Sequence, residues 1–239
     1  KDYYKVAVLD GIGIFNRLET AALGSLLDYV MLTQVGQIPH LRQPQRLEAG
    51  GYLLIDSATR ANLELTRRPS GEREGSLLHS IDRTLTAAGA RLLASRLAQP
   101  LNEPAAIVAR FDEVSFFKAD AKLRHNLRSQ LKSMPDMQRA LGRLTLQRGG
   151  PRDLAAIVAG LVSAEKAGQM LSACELPANL QAASGLLRNV PFALMHELQS
   201  ALAESLPLLA RDGGFIRTGF HAELDEALAL QLAQHDAHV

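Results

Sequence analysis

The feature that most constrains this chain is a series of apolar stripes at helical spacing, each cut off by proline or glycine. Leu92, Leu93 and Leu97 form one stripe, ended by Pro100, with Thr86 placed to cap its start. Ile107, Val108, Phe111 and Val114 form the next, opened by Asn102 and Pro104 and expected to face inward. Asp120 precedes a row of Leu123, Leu127 and Leu131. Ser133 and Pro135 are read as the start of a helix carrying Met137, Leu141 and Leu144, which Gly149 and Gly150 stop. Pro151 restarts the chain with Leu154, Ile157, Val158, Leu161 and Val162 on one face, and Pro177 and Pro191 divide the remainder into two further helices. Connections this short force neighbouring helices to pack antiparallel. Only 5% of residues are aromatic and there is no Trp, so Leu and Ala fill the core, a composition that favours packed helices over a sandwich.

The first part reads differently. Val6-Ala7-Val8-Leu9 is a short apolar run ending at Asp10-Gly11, expected to be a strand and turn. Asn16 and Glu19 have capping-box spacing, and Leu23, Leu26, Leu27 and Val30 then share one helical face until Gly36 and Pro39. One strand and one helix cannot make a domain, so residues 1–37 read as the tail of an α/β unit. A broken polar stretch runs on to Gly51, then come extended Tyr52-Leu53-Leu54-Ile55, a helix capped by Asp56, and an exposed charged loop from Arg68 to Gly75. Near the far end, Arg211-Asp212-Gly213-Gly214 is a turn, Phe215-Ile216 a brief strand, and Glu223 to His238 a polar helix. The fold class is therefore mainly α: a multi-helix bundle with a short α/β remnant at the N-terminus. The chain opens at Lys1 without Met and stops inside a helical pattern, so it is expected to be a piece of a longer protein.

Chemistry is sparse. Lys132-Ser133 is the one Lys followed by Ser or Thr, and it lacks the glycines of a phosphate loop. Gly11-Ile12-Gly13 has Asn16 where a dinucleotide fingerprint needs its third glycine, and reads as a turn. The histidines His40, His79, His125, His196, His221, His235 and His238 show no ligand spacing, and carboxylate pairs such as Asp225-Glu226 lie on a solvated face. No nucleophile elbow occurs. The single Cys174 excludes an intrachain disulfide and reads as a small residue at a helix end, in keeping with a reducing, cytoplasmic setting. No catalytic, cofactor-binding or metal-ligating residue is assigned. No apolar run is read as approaching the roughly 20 residues that span a bilayer, and no membrane partner is expected.

Charge is balanced overall, with a formal net charge of +1, yet unevenly distributed. Lys122, Arg124, Arg128, Lys132, Arg139, Arg143, Arg148 and Arg152 face Asp136 alone, whereas acidic residues prevail after Pro191. Arg124, Arg128 and Lys132 form a candidate basic patch for DNA or an acidic partner. The bland reading, solvated faces partly paired between helices, is favoured because no aromatic or glycine-rich elements interleave with the bases.

Ile55-Asp56-Ser57-Ala58-Thr59, Arg91-Leu92-Leu93 and Pro151-Arg152-Asp153-Leu154 belong to a set of motifs that, in order, resembles the MutS family of mismatch-recognition ATPases. Ile55-Asp56-Ser57-Ala58-Thr59-Arg60-Ala61-Asn62-Leu63-Glu64-Leu65 resembles the opening of that family's central helical domain. Gly75-Ser76-Leu77-Leu78, Asp82-Arg83-Thr84, Thr86, Gly89, Arg91-Leu92-Leu93 and Pro100-Leu101 come next in the family's order. So do Arg143-Leu144, Gly150-Pro151-Arg152-Asp153-Leu154, Arg211-Asp212-Gly213-Gly214-Phe215-Ile216, Gly219-Phe220 and Glu223-Leu224-Asp225. The resemblance implies that residues 1–37 end a connector domain, 38–214 form the helical core or lever, and 215–239 start the helix leading to a DNA clamp. It further implies a lever coupling ATP state to DNA clamping, with Thr84, Thr86, Gly89, Arg211, Asp212 and Gly213 at its junctions. ATP and Mg would bind the full-length parent, whose catalytic domain has no counterpart here. Duplex DNA, self-association as a dimer and a MutL-type repair partner would likewise come through the whole protein. The competing readings are a free-standing helical adaptor without DNA binding and an undetected hydrolase, the latter needing a pocket with a strongly shifted carboxylate or His.

Overall fold

The computed structural model describes residues 3–6, 11, 13–34, 41–45 and 51–236. Ala7, Val8 and Leu9 of the expected first strand, and Gly36 and Pro39, lie outside the described residues. The regular structure of the described part is almost wholly helical: α1 (Arg17–Gln34), α2 (Ser57–Asn62), α3 (Leu77–Ile81), α4 (Ala87–Ala98), α5 (Pro104–Ala119), α6 (Ala121–Lys132), α7 (Met137–Thr145), α8 (Pro151–Ser172), α9 (Ala178–Arg188), α10 (Phe192–Ala201) and α11 (Ala222–Asp236).

The helix starts obey local chemistry. Asn16 and Glu19 close a reciprocal capping box at α1: Glu19 N–H donates to Asn16 Oδ1 at 2.9 Å, and Asn16 N–H to Glu19 Oε2 at 2.8 Å. Asp56 accepts from Thr59 N–H, Thr86 from Gly89 N–H and Asp120 from Leu123 N–H, each satisfying an otherwise orphaned first-turn donor. The start of α7 corrects the sequence reading. Its cap is Asp136, which accepts from Arg139 N–H, while Ser133 belongs to the end of α6 and donates to Gln130 O. Nor do Gly149 and Gly150 stop α7; the helix ends at Thr145, and Gln147, with φ 54°, turns the chain before the glycine pair is reached.

The bundle is organised around α8, on which α6, α7, α9 and α10 pack. Two glycines set how closely. A Cβ on Gly160 would sit 2.0 Å from Met137 Sδ of α7, and one on Gly168 would meet the Arg188 backbone N of α9 at 3.2 Å. The buried apolar side chains near these crossings include Ala140, Ala167, Leu171 and Met195. This helix also amends the membrane expectation, since its 22 residues are long and apolar enough to cross a bilayer. Here four helices pack against it, and it carries Arg152, Asp153, Glu165 and Lys166.

Helix α5 also differs from the sequence reading. Its expected inward row is largely exposed, with Phe111 at 63%, Val114 at 60% and Val108 at 56% of full accessibility. Helix α5 packs on α6 and α9, and those contacts leave this row uncovered among the described residues.

Two isolated bridges fasten the ends of the bundle. Tyr52 pairs with Leu101, supported by Leu53 N–H donating to Pro100 O at 2.8 Å. Leu202 pairs with Ile216, with Ala203 N–H donating to Phe215 O at 3.0 Å and Arg217 N–H to Ala201 O at 2.7 Å. The brief strand expected at Phe215-Ile216 is this single bridge.

Candidate functional site

The polar chemistry of the molecule gathers where helices begin. At the α3–α4 junction, Asp82 Oδ1 accepts from Thr84 N–H at 2.9 Å and from the Thr84 hydroxyl at 2.7 Å, while Oδ2 pairs with Arg73. These bonds, the Thr84 hydroxyl first, hold the Asp82 carboxyl below its usual range. Two residues on, Thr86 Oγ1 takes the Gly89 N–H at 2.9 Å, and a Cβ on Gly89 would lie 2.9 Å from that same oxygen. Glycine is therefore what lets the cap close tightly.

From α4, Arg91 reaches across to α7. Its two terminal nitrogens bond both oxygens of Asp136, at 2.7 and 2.9 Å, and one also meets Gln138 Oε1 at 3.0 Å. Asp136 thus caps α7 and anchors α4 with the same carboxylate. The Arg91 hydrogen bonds, helped by the Arg139 N–H and the charges of both arginines, bring its pKa down to about 2. The pattern repeats one helix later. Arg143 of α7 pairs with Asp153 through two of its nitrogens, and Asp153 Oδ2 accepts from Gly150 N–H at 3.1 Å at the start of α8. Asp153 is buried, and the Arg143 hydrogen bonds push its pKa down. The start of α8 is held a third time by Arg152 Nε, which donates to Leu206 O at 3.2 Å, and a Cβ on Gly150 would press on Leu208 O at 2.8 Å. Two carboxylates, each serving a helix start and an earlier helix at once, join α4, α7 and α8 in series.

The three residues of the basic patch lie on α6 with different partners. Arg124 turns its guanidinium onto the carbonyls of Phe117 and Lys118 at the end of α5, and Arg128 donates to Arg83 O at 3.1 Å. Lys132 alone of the three is an exposed cation with no bonded partner among the described residues. At the other end, Asp212 Oδ2 accepts from Leu209 N–H at 3.3 Å in a short 3₁₀ turn over Ala210–Asp212, and Gly213 and Gly214 come next at φ 67° and 68°, a left-handed conformation that favours glycine. Arg211 is exposed on that turn. The junction residues named from the sequence thus occupy two separate places: Thr84, Thr86 and Gly89 at the α3–α4 junction, and Arg211, Asp212 and Gly213 after α10.

Sequence reasoning missed Arg91, Asp136, Arg143 and Asp153 as partners. Only the proximity of Asp136 and Asp153 to helix starts signalled them. Among the described residues, no three His, Cys, Asp or Glu side chains are grouped to hold a metal ion. A cleft of about 570 Å³ opens between the end of α8 and α9, lined by Cys174, Glu175, Gln181, Ser184 and Arg188 among others. The carboxylates held below their usual range, Asp56, Asp82, Asp136 and Asp153, lie at helix starts and junctions away from it. Cys174 Sγ meets Met170 O at 3.7 Å at the end of α8.

Comparison with known proteins bears on what this arrangement serves. Residues 58–237 match the family described as MutS domain III. The protein named DNA mismatch repair protein MutS from Rhodopseudomonas palustris strain BisB5 is 52% identical over 231 residues, covering 96% of this chain and 25% of that protein. The protein of the same name from Nitrobacter winogradskyi is 48% identical over 231 residues, covering 96% of this chain and 26% of its own length. The chain therefore spans about a quarter of the length of these relatives.

Proposed function

This chain belongs to the MutS family, matching its domain III from residue 58 to 237, and on that footing we propose that it is the stiff core and lever of a DNA mismatch-recognition ATPase, coupling ATP state to clamping on DNA. Residues 1–37 would close the connector domain, 38–214 form the lever proper, and 215–239 begin the helix toward the clamp. ATP and Mg bind elsewhere in the full-length parent. Duplex DNA, a second copy and a MutL-type repair partner are engaged by that whole protein in the cytoplasm.

The observation that carries this reading is the serial pairing of Arg91 with Asp136 and Arg143 with Asp153. A lever must move as a unit, and packed elements shift in discrete steps rather than deforming smoothly. Carboxylates that serve one helix start while gripping an earlier helix resist relative movement of the two. Thr84, Thr86, Gly89 and the Arg211-Asp212-Gly213 turn would then be the hinges at either end of the rigid part.

The test uses the full-length protein. Asp153→Asn and Arg91→Met are each assayed for affinity toward mismatched DNA without nucleotide, for ATP hydrolysis without DNA, and for ATP-triggered release from DNA. Both end activities should persist while release slows. Lower thermal stability with release kinetics untouched would reduce the pairs to scaffolding. Thr86→Ala and Gly213→Ala, read the same way, test the hinges.

The adaptor alternative would draw on the exposed α5 row of Val108, Phe111 and Val114. Family membership weighs against a free-standing adaptor, and a full-length variant with Phe111→Ser that retains every mismatch-dependent activity while losing a protein partner would restore it.

A further inference from the structure

Two of the four cations of α6, Arg124 and Arg128, donate to backbone carbonyls of other segments, and the residue this singles out is Arg128. Its Nη1 lies 3.1 Å from the carbonyl oxygen of Arg83, 45 residues away in the chain, in the middle of the α3–α4 junction. On either side of that carbonyl, Asp82 holds Thr84 and Arg73, while Arg83 itself donates to Ser80 O and Asp82 O at 3.3 and 2.9 Å. One turn earlier on α6, Arg124 fastens the end of α5 in the same manner. Helix α6 in turn packs on α5 and α8.

The start of α4 is therefore held at two points. Arg91 ties it forward to α7 through Asp136, and Arg128 ties the residues just before it sideways to α6. A guanidinium on a carbonyl is a charge-assisted bond with a fixed donor fork, which a lysine ammonium copies in charge but not in geometry. We propose that Arg128 is a positioning residue that couples the α3–α4 junction to α6, and not a DNA contact. This rests on the lever reading above. It assigns to the second residue of the basic patch a role within the protein: when the junction moves with nucleotide state, Arg128 carries α6 and the α5 end with it.

The experiment uses the full-length parent with Arg128→Met, which keeps the apolar stem but removes the donors, and Arg128→Lys, which keeps the charge. Arg91→Met serves as the reference for the lever itself. Mismatched-DNA affinity is measured against salt concentration, alongside ATP hydrolysis without DNA and ATP-triggered release. A phosphate contact would show itself as weaker binding to all sequences and a salt slope reduced by about one. The expected result is an unchanged affinity and slope for Arg128→Met, with release slowed about threefold or more, the range in which single coupling residues act, and at least partial recovery in Arg128→Lys. A reduced salt slope overturns the proposal in favour of a DNA contact. Unchanged release in Arg128→Met beside slowed release in Arg91→Met overturns it while leaving the lever standing. Unchanged release in both overturns the two together.

Discussion

Replacing Gly160 with alanine tests the packing that the whole bundle depends on. The added Cβ would stand 2.0 Å from Met137 Sδ and 2.1 Å from its Cγ, where ordinary contact needs about 3.5 Å. An overlap of roughly 1.5 Å at two successive atoms cannot be relieved by turning the methionine tip. The side chain must change its first rotamer, or the start of α7 must lift and pull Asp136 away from Arg91. Overpacking of this kind costs about 1–3 kcal/mol, and a clash at two atoms belongs at the upper end. Alanine in a helix interior returns about 1 kcal/mol over glycine, so the net loss should be about 2 kcal/mol, a drop in Tm of roughly 4–8 °C for a chain of this size. Differential scanning calorimetry on the single variants and the pair supplies the check. In a Met137→Ala background the obstruction is gone, and Gly160→Ala should then stabilise by about 1 kcal/mol, giving a coupling of roughly 3 kcal/mol between the sites. Additive effects, or an unchanged or higher Tm for Gly160→Ala alone, would refute the reasoning.

The junctions give further expected outcomes. Thr86→Ala should lose about 1 kcal/mol by removing the cap on Gly89 N–H, read as a lower denaturant midpoint at constant slope. Asp153→Asn should lose about 1–2 kcal/mol, because the buried group keeps its place but no longer answers the half-exposed Arg143 with charge. The Asp136 pKa lies at about 2, below the 3.8 of a free carboxyl, so its stabilisation is complete above about pH 4 and vanishes as pH falls toward 2. The Tm gap between wild type and Asp136→Asn should therefore close over that window, and a gap that stays constant would remove Asp136 from the acid response. Gly185→Ala, on a face of α9 where a Cβ meets nothing within 4 Å, should raise stability by about 0.5–1 kcal/mol.

Short-range chemistry was legible in the sequence. The caps at Asn16, Asp56, Thr86 and Asp120 were readable because each bond spans three residues and needs only the right side chain at the right offset. The start of α7 was misplaced because Ser133, Pro135 and Asp136 all carry start signals, and only the fold shows which carboxylate Arg91 holds. That pairing bridges 45 residues, a separation no local pattern encodes. The α5 row failed differently: periodicity tells which side of a helix is apolar, not whether anything lies against it. The bond from the exposed Arg128 to Arg83 O was not legible either, since its partner is a backbone carbonyl, and every residue has one.

The bridges at Tyr52–Leu101 and Leu202–Ile216 have a mechanical meaning. Ala203–Phe215, Arg217–Ala201 and the Arg217 guanidinium on Leu202 O at 3.2 Å tie the segment before α11 to the end of α10. On the lever reading, these few hydrogen bonds are the tie, beyond the chain itself, through which a pull on residue 217 meets the end of α10.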